Sequence, residues 1–318
     1  MNETATQVLN AFCVDLEEWF HVCGVETAYQ DPRTWDTAPA FVEKDTEVLL
    51  RLLDDAGVAA TFLTLGWLGR KYPRLIRRIV RQGHEIGCHG CYHRLVFEQS
   101  PEQFRREVSA ARKILQDVSG QAVTCFRAPG FSMKRECFWA YPILVEEGIQ
   151  IDVSIVPAAR DHGGIKGFGR EPFCMVTESG ELTVFPVSVM RLAGRDVPFS
   201  GGGYLRLFPL SVIRYGFRQN HRRGLPVMTY IHPRELNPAL PRLNLSHQKS
   251  FKYYVGLRKC ERKLRHLLAA YRFGTVSDAV REYNGRLRKQ YLNGDTHELT
   301  SAALPEPVRQ PHVAQVAR

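Results

Sequence analysis

No stretch of the chain approaches the roughly 20 consecutive apolar residues that a membrane-spanning helix needs, so no transmembrane helix is expected. The opening MNETATQVLN lacks a basic segment followed by an apolar one, so no secretory signal is expected either. The chain is expected in the cytoplasm, free or at a membrane surface. Zinc-finger spacing is missing, and so is the aromatic-interleaved signature of an RNA-binding module. Nucleic acid is therefore not an expected partner, despite a net charge of +10. No internal repeat is present, which excludes a solenoid or propeller. The eight cysteines are scattered through 318 residues, a length that can bury a large core. They read as reduced thiols, not as a disulfide framework. Acid is the scarcer charge, 33 Asp and Glu against 43 Lys and Arg, and much of the basic excess follows residue 190, as in RQNHRRG and LRKCERKLRH. The plain reading is a solvated basic face. The functional one is an anionic polymer, an anionic lipid surface or a nucleotide-linked substrate.

The first half alternates strand and helix patterns. NAFCVDLE, VAATFLTLG, HEIGCHG, AVTCFRAPG and IQIDVSIVP read as buried strands. Between them, EKDTEVLLRLLDDAG carries Val48, Leu49, Leu52, Leu53 and Ala56 on one helical face and ends at Gly57. YPRLIRRIVRQG is a helix opened by Pro73 and stopped by Gly83. Ser100-Pro101 opens another, with Phe104, Val108, Ala111 and Leu115 buried. Repeated β-α units predict a parallel sheet, open or closed into a barrel. From Asp161 to Gly203 the pattern loosens into glycine-rich loops and short strands. Helix and strand return in SVIRYGFRQNHRRG and PVMTYIHPREL, then a basic helix near Lys249–Tyr271 and a last strand and helix in RFGTVSDAVREY. Residues 1–10 and 295–318 read as tails around a domain over 11–280.

Functional side chains of parallel α/β folds gather at the C-terminal ends of strands. Here VDLEEW, CHGCYH, FRAPGF, IDVSIV and YIHPRE all carry polar or ionisable residues there. CHGCYH has the C-x-x-C spacing of a redox pair, but a thioredoxin-like pair belongs to a much smaller unit. Haem attachment needs His directly after the second Cys, where Tyr92 stands. A zinc knuckle draws on two separated ligand pairs. The remaining reading takes His89 and His93 as half of a catalytic metal site that needs a carboxylate and an open position. Alone, such a His pair is ordinarily core or surface, and acids at a strand end are ordinarily solvated. In VDLEEW, Asp15 and Glu17 share a face of the extended chain, so one could bind metal while the other takes a proton. His232 is a candidate general acid, and Arg127 could hold the free Asp. Trp19, Phe20, Trp35, Phe131 and Tyr204 could stack on sugars or simply pack the core.

Taken in order, VDLEEW, HGCYHRL, FRAPGFS, IDVSI and TYIHPREL resemble the NodB-homology, or carbohydrate esterase family 4, polysaccharide deacetylases. With SGGGYLRLFP, the chain is similar to the exopolysaccharide-locus (PEP-CTERM-associated) branch, which carries a DUF3473-like C-terminal extension, here from about residue 200. The resemblance spans about residues 10 to 280. It implies a distorted (β/α) barrel of fewer than eight strands. It implies a divalent cation, zinc first and cobalt, nickel or iron(II) as alternates, held by Glu17, His89 and His93. Asp15 would be the base, Arg127 its orienting partner and His232 the acid, with Asp152 pairing with His232 and setting its tautomer. Gly130 would lend a backbone N–H to the oxyanion, with Phe131, Trp19 and Tyr204 against the substrate. The reaction implied is removal of N-acetyl groups from an amino-sugar polymer or its lipid-linked precursor, with exopolysaccharide machinery or an anionic membrane as partner.

The chain departs from the family pattern twice. The usual adjacent aspartates are replaced by Asp15, Leu16 and Glu17, which leaves Glu18 as a rival ligand. Gly130 stands where many members have an aromatic residue, which would widen the pocket floor. Two other functions compete: an amide hydrolase for a small ureide-type substrate, and a sugar-binding module without catalysis.

Overall fold

The computed structural model describes residues 8–23, 29, 31–160 and 163–292. The segments expected to be tails therefore lie mostly outside the described residues. Strand β1 (Asn10–Leu16) is buried along its whole length. Its side chains alternate: Phe12, Val14 and Leu16 join the outer core under the helices, while Ala11 and Cys13 face an inner cluster. Strands β2 (Thr61–Thr64), β3 (Glu85–Cys88), β4 (Cys125–Phe126) and β5 (Ile151–Asp152) follow it in parallel, one after another. Next come β6 (Phe173–Thr177) and β7 (Gly180–Val184), an antiparallel pair whose second member is parallel to β5. A separate hairpin, β8 (Val189–Leu192) with β9 (Arg195–Pro198), precedes β10 (Met228–Ile231), which returns to pair with the far side of β1. Strand β11 (Phe273–Gly274) extends β1 at its start.

The sheet curls because its inner side chains must meet. Ala11, Cys13, Leu63, Cys125, Val153, Phe185, Met228 and Tyr230 form one buried group drawn from strands at both ends of the order. No ladder joins β7 to β10 among the described residues. Side chains bridge that gap: Met228 N–H donates to Ser188 Oγ at 2.9 Å, and Ser200 Oγ donates to the Met228 carbonyl at 2.7 Å. The result is the distorted (β/α) barrel that the family resemblance implies, built on the parallel sheet that the alternating pattern predicts.

Helices wrap the outside. They are α1 (Val42–Ala56), α2 (Gly66–Lys71), α3 (Pro73–Arg81), α4 (Pro101–Ser119), α5 (Ala140–Glu146), α6 (Gly202–Leu207), α7 (Leu210–His221), α8 (His247–Tyr254), α9 (Leu257–Ala270) and α10 (Val276–Leu292). Helix α4 follows its sequence signals closely. Ser100 caps it in a reciprocal box with Gln103, Phe104, Val108, Ala111 and Leu115 are its buried face, and Gly120 ends it at φ 70°. The short α2 is not foreseen by periodicity. Gly66 opens it because a Cβ there would lie 2.8 Å from the Ala111 Cα of α4. The single basic helix expected near Lys249–Tyr271 breaks into α8 and α9 at Gly256, which sits at φ 71° with no room for a Cβ beside the Arg206 carbonyl.

Strand register sets the stage for chemistry. Asp15 is opposite Leu63, Thr64 opposite Cys88, Cys88 opposite Phe126, Phe126 opposite Asp152, and Val14 opposite Ile231. Glu17, His89, Arg127 and His232 therefore emerge together just past the carboxyl ends of β1, β3, β4 and β10.

Candidate active site

His89 and His93 come from the loop after β3. Gly90 at φ 75° and His93 itself at φ 54° turn that loop back on itself, a conformation that His tolerates better than most side chains. The two rings end 5.4 Å apart. Glu107 of α4 pins the loop from behind by accepting the N–H groups of Cys91 and Tyr92 at 3.1 and 3.0 Å. Glu17 Oε1 lies 2.9 Å from Nε2 of both histidines. The three potential ligand atoms all fall within 4.8 Å of one another.

His89 Nδ1–H donates to the Arg127 carbonyl at 2.8 Å. A carbonyl can only accept, so the proton is fixed on Nδ1 and the Nε2 lone pair faces the cluster. Two imidazole nitrogens and one carboxylate oxygen form a donor set suited to a borderline divalent cation. Burial alone would raise Glu17, but the nearby His93 and His232 charges hold its carboxyl well below the usual range. Burial opposes a charged His93, and Glu17 overcomes it. Cys88 and Cys91 point the other way, into the outer core. Burial pushes their thiols to about 12 and about 11, which leaves them protonated and unreactive.

Asp15 stands next to this cluster but outside it. One oxygen is held by the fully buried Arg127, and the other lies 3.8 Å from His232 Nε2. Arg127 also reaches the Val153 carbonyl at 3.3 Å and lies over the rings of Phe131 and Tyr230, at 5.0 and 5.4 Å. His232 Nε2 is 3.6 Å from Glu17 Oε2, so the imidazole faces both carboxylates.

Several sequence expectations need correction. Asp152 does sit at the end of β5, but its carboxyl accepts from Ser154 at 2.5 Å and Tyr141 at 3.2 Å, on the side facing α5. On the Nδ1 side of His232 the neighbouring carboxylate is Glu235, 3.8 Å from Nδ1 without a hydrogen bond to it, and accepting the His232 backbone N–H at 3.3 Å. Burial would raise Glu235, but Arg206, at 3.1 Å, and His232 hold it at about 2. The rival ligand Glu18 is turned away from the histidines and caps α1, accepting from Phe41 at 3.0 Å and Val42 at 3.2 Å. Trp19 is a core residue, packed on Phe20 and Phe41 with its indole N–H on the Pro39 carbonyl. Phe20 and Trp35 are buried beside it. Tyr204 is half-buried against Phe208 and does not line the cleft. Gly130 and Phe131 do line it, yet the glycine does not widen the floor. A Cβ at Gly130, where φ is 61°, would lie 2.8 Å from Cys23 Sγ, which fills the space.

Arg206 is the residue that sequence reasoning missed most completely. It is buried, pairs with Glu235 and gathers the carbonyls of Lys252, Tyr253 and Val255 from the end of α8. Arg206 lies in SGGGYLRLFP and Glu235 three residues past His232 in YIHPREL, but nothing local in either segment marks them as buried partners. The whole group opens into a cleft of about 250 Å³ whose farther wall carries Arg160, Arg234, Lys249 and Lys252.

A family model described as polysaccharide deacetylase matches residues 33–141, and one described as a domain of unknown function (DUF3473) matches 153–281. Over 108 residues the chain is 30% identical to a peptidoglycan-N-acetylglucosamine deacetylase of Bacillus cereus, covering 34% of this chain and 38% of the relative. Over 85 residues it is 31% identical to a chitooligosaccharide deacetylase of Azorhizobium caulinodans, covering 26% and 40%. The chain thus spans well under half the length of the curated relatives it matches. A Mycobacterium smegmatis protein provisionally described as a polysaccharide deacetylase shares the fold, with a TM-score of 0.59 and 18% identity over 90% of this chain and 93% of that one. Residues 33–141 thus match the polysaccharide deacetylase model and residues 153–281 the DUF3473 model, on a fold shared with the Mycobacterium smegmatis protein.

Proposed function

We propose that the protein is a metal-dependent hydrolase that removes N-acetyl groups from an amino-sugar polysaccharide, or from its lipid-linked precursor, in exopolysaccharide biosynthesis. One observation carries the reading: a two-histidine, one-carboxylate group with a second carboxylate, Asp15, beside it yet held apart by Arg127. Glu17, His89 and His93 would hold a divalent cation, zinc being the first choice. When bound there, the cation supplies Lewis acidity that polarises an amide carbonyl and makes water more acidic. Asp15 takes the proton from the attacking water, and Arg127 keeps its carboxylate aimed. His232 delivers a proton to the departing sugar amine, so acetate and a free amino sugar leave. Glu235, clamped by Arg206, seats His232. The backbone at Gly130 and the ring of Phe131 form the floor on which the acetamide rests. Eight unpaired thiols, six of them buried, support a reducing compartment such as the cytoplasm. A groove lined by Arg242, Arg258, Lys259, Arg262 and the apolar Leu207 and Leu257 supports contact with an anionic membrane surface.

The test is acetate release from N-acetylated chitooligosaccharides by the zinc-loaded protein. Release that disappears on chelation and returns with metal is expected. Stoichiometric metal with no release from any N-acetylated sugar would favour a binding module instead.

A further inference from the structure

The two histidines of the cluster are held unequally. His89 Nδ1 meets a backbone carbonyl, that of Arg127, at 2.8 Å. His93 has no such anchor. Its backbone sits at φ 54°, a region that side chains other than glycine enter rarely. The partner of its Nδ1 is the sulfur of Cys23, 3.8 Å away, and that nitrogen has no other partner among the described residues. One face of the ring is backed by His21, whose plane lies 18° from it with 5.6 Å between centroids. His21 is fixed in turn by the Glu18 N–H, which donates to its Nδ1 at 3.2 Å, and by the rings of Trp35 and Trp67. It sets the plane of His93 but gives it no hydrogen bond. The sulfur has little room to withdraw. A Cβ at Gly130 would lie 2.8 Å from it, so the backbone of the cleft floor packs against it. Among the described residues, Cys23 is the cysteine that lines the cleft.

An imidazole that offers its Nε2 lone pair to a cation carries its ring proton on Nδ1, and that buried N–H needs an acceptor. For His93 the acceptor at hand is a thiol sulfur, which takes an N–H weakly. Resting on the reading of Glu17, His89 and His93 as holders of a divalent cation, we propose that Cys23 is a positioning residue for His93. Its sulfur accepts the Nδ1–H, turns the imidazole so that Nε2 faces Glu17, and thereby sets the affinity and geometry of the metal site. The side chain acts by accepting and not by filling space, and the thiol keeps its own proton throughout.

The experiment uses the full chain and three substitutions. Cys23→Ala removes both acceptor and bulk, Cys23→Val keeps bulk without an acceptor, and Cys23→Ser keeps an acceptor. Zinc affinity is measured by competition with a chromophoric chelator, and the visible spectrum of the cobalt(II) form reports ligand geometry. Loss of the outer partner of a metal-bound histidine costs roughly 10–100-fold in affinity. Because sulfur accepts weakly, Cys23→Ala and Cys23→Val should fall at the low end, about tenfold. Both should also alter the cobalt bands. Cys23→Ser should recover most of the affinity and the wild-type bands. Melting of the metal-free forms checks that each variant is folded, and if Cys23→Val does not fold, Cys23→Ala against Cys23→Ser makes the same comparison. Wild-type affinity in all three variants, or Cys23→Ser no tighter than Cys23→Ala, overturns the inference. So does Cys23→Val matching wild type, because the sulfur would then only fill space. None of these measurements needs turnover. Bound metal with no acetate released from any N-acetylated sugar would end the deacetylase reading, and the affinities would still decide this inference. A wild-type chain that binds no divalent cation would overturn both.

Discussion

Three carboxylates lie within four residues of one another, all buried, and each has a different occupation. Converting them one at a time to amides should give three separable outcomes. Asp15→Asn removes one partner of a buried ion pair, which ordinarily costs about 3–5 kcal/mol. The cost should fall near the lower end, because the new amide oxygen still accepts and Arg127 keeps the Val153 carbonyl and two aromatic faces, each a cation–π contact of up to ~2 kcal/mol. In a chain of this size that is a fall in Tm of roughly 5–10 °C. Metal binding should survive, and acetate release should not. Glu17→Gln removes the buried partner of His93 and His232, so the metal-free protein should also melt below wild type. What disappears is the rise in Tm on adding zinc, about 2.7 kcal/mol of stabilisation at a hundredfold excess over Kd. Glu18→Gln weakens a helix cap, about 0.5–2 kcal/mol, and keeps the zinc-dependent rise. Metal content by mass spectrometry, melting with and without zinc, and acetate release together separate the cases. The assignment fails if Glu18→Gln loses the zinc-dependent rise while Glu17→Gln keeps it, or if Asp15→Asn strips the metal.

His232→Ala should lower kcat by roughly 10²–10⁴, the span of a lost general acid, at unchanged metal content. Glu235→Gln should reduce turnover more than Asp152→Asn, and the reverse order would restore Asp152 as the partner of His232. Cys88→Ala combined with Cys91→Ala should keep metal and activity, because both thiols face the outer core; loss of metal from the folded double variant would contradict this. Burial raises Asp45 to about 7 in the folded protein, far above its unfolded value of about 4. The folded state therefore holds the proton more tightly, and this contribution to stability, complete below about pH 4, is lost as pH rises through about 7. Asp45→Asn should gain Tm relative to wild type between about pH 5 and about pH 8, and parallel melting profiles would refute it. Co-sedimentation with vesicles containing anionic phospholipid should exceed that with neutral vesicles and vanish at high salt. Arg258→Gln with Arg262→Gln should weaken it, and equal sedimentation with both vesicle types would remove the membrane from the proposal.

The strand ends were legible because β-α punctuation is local: Pro101, Gly57 and Gly83 mark boundaries wherever the chain goes. Alternation in VDLEEW also put Asp15 and Glu17 on one face and left Glu18 on the other. The same parity argues against Asp152 as a partner for His232. In IDV, Ile151 and Val153 join the inner cluster, so Asp152 between them must face outward to Tyr141. Proximity of a motif to a strand end says nothing of which way its side chain turns. Arg206 and Glu235 were out of reach for a different reason. They are 29 residues apart and meet only because α6 and the turn after β10 fold onto the same end of the barrel. Nothing local in SGGGYLRLFP announces a buried arginine. Gly130 misled in a third way, since the space that an aromatic side chain would take is filled by Cys23, more than a hundred residues earlier in the chain.

The division of the chain between two family models cuts across the cleft. The deacetylase match, 33–141, contains His89, His93, Arg127 and Gly130, and the strand bearing Asp15 and Glu17 precedes it. The match of unknown function, 153–281, contains Arg160, Arg206, His232, Arg234, Glu235, Lys249 and Lys252. The two parts share one sheet: β10 pairs with β1 from Ala11 opposite Met228 to Val14 opposite Ile231, and Asn10 ties that edge to the Arg272 carbonyl and the Val227 N–H. Under the proposed mechanism the first part attacks and the second releases. The base and the metal ligands come from one side of the β1–β10 ladder, and the proton for the leaving amine comes from the other. The same C-terminal part supplies Arg160, Arg234, Lys249 and Lys252 to the lining of the cleft. Under that mechanism the seating of the acid and of α8 both depend on a single side chain, Arg206, which holds Glu235 and the Lys252 carbonyl. A substitution that loosens this clamp should disturb both at once, as expected if the segment matched by the model of unknown function is a wall of the proposed active site and not an appendage to it.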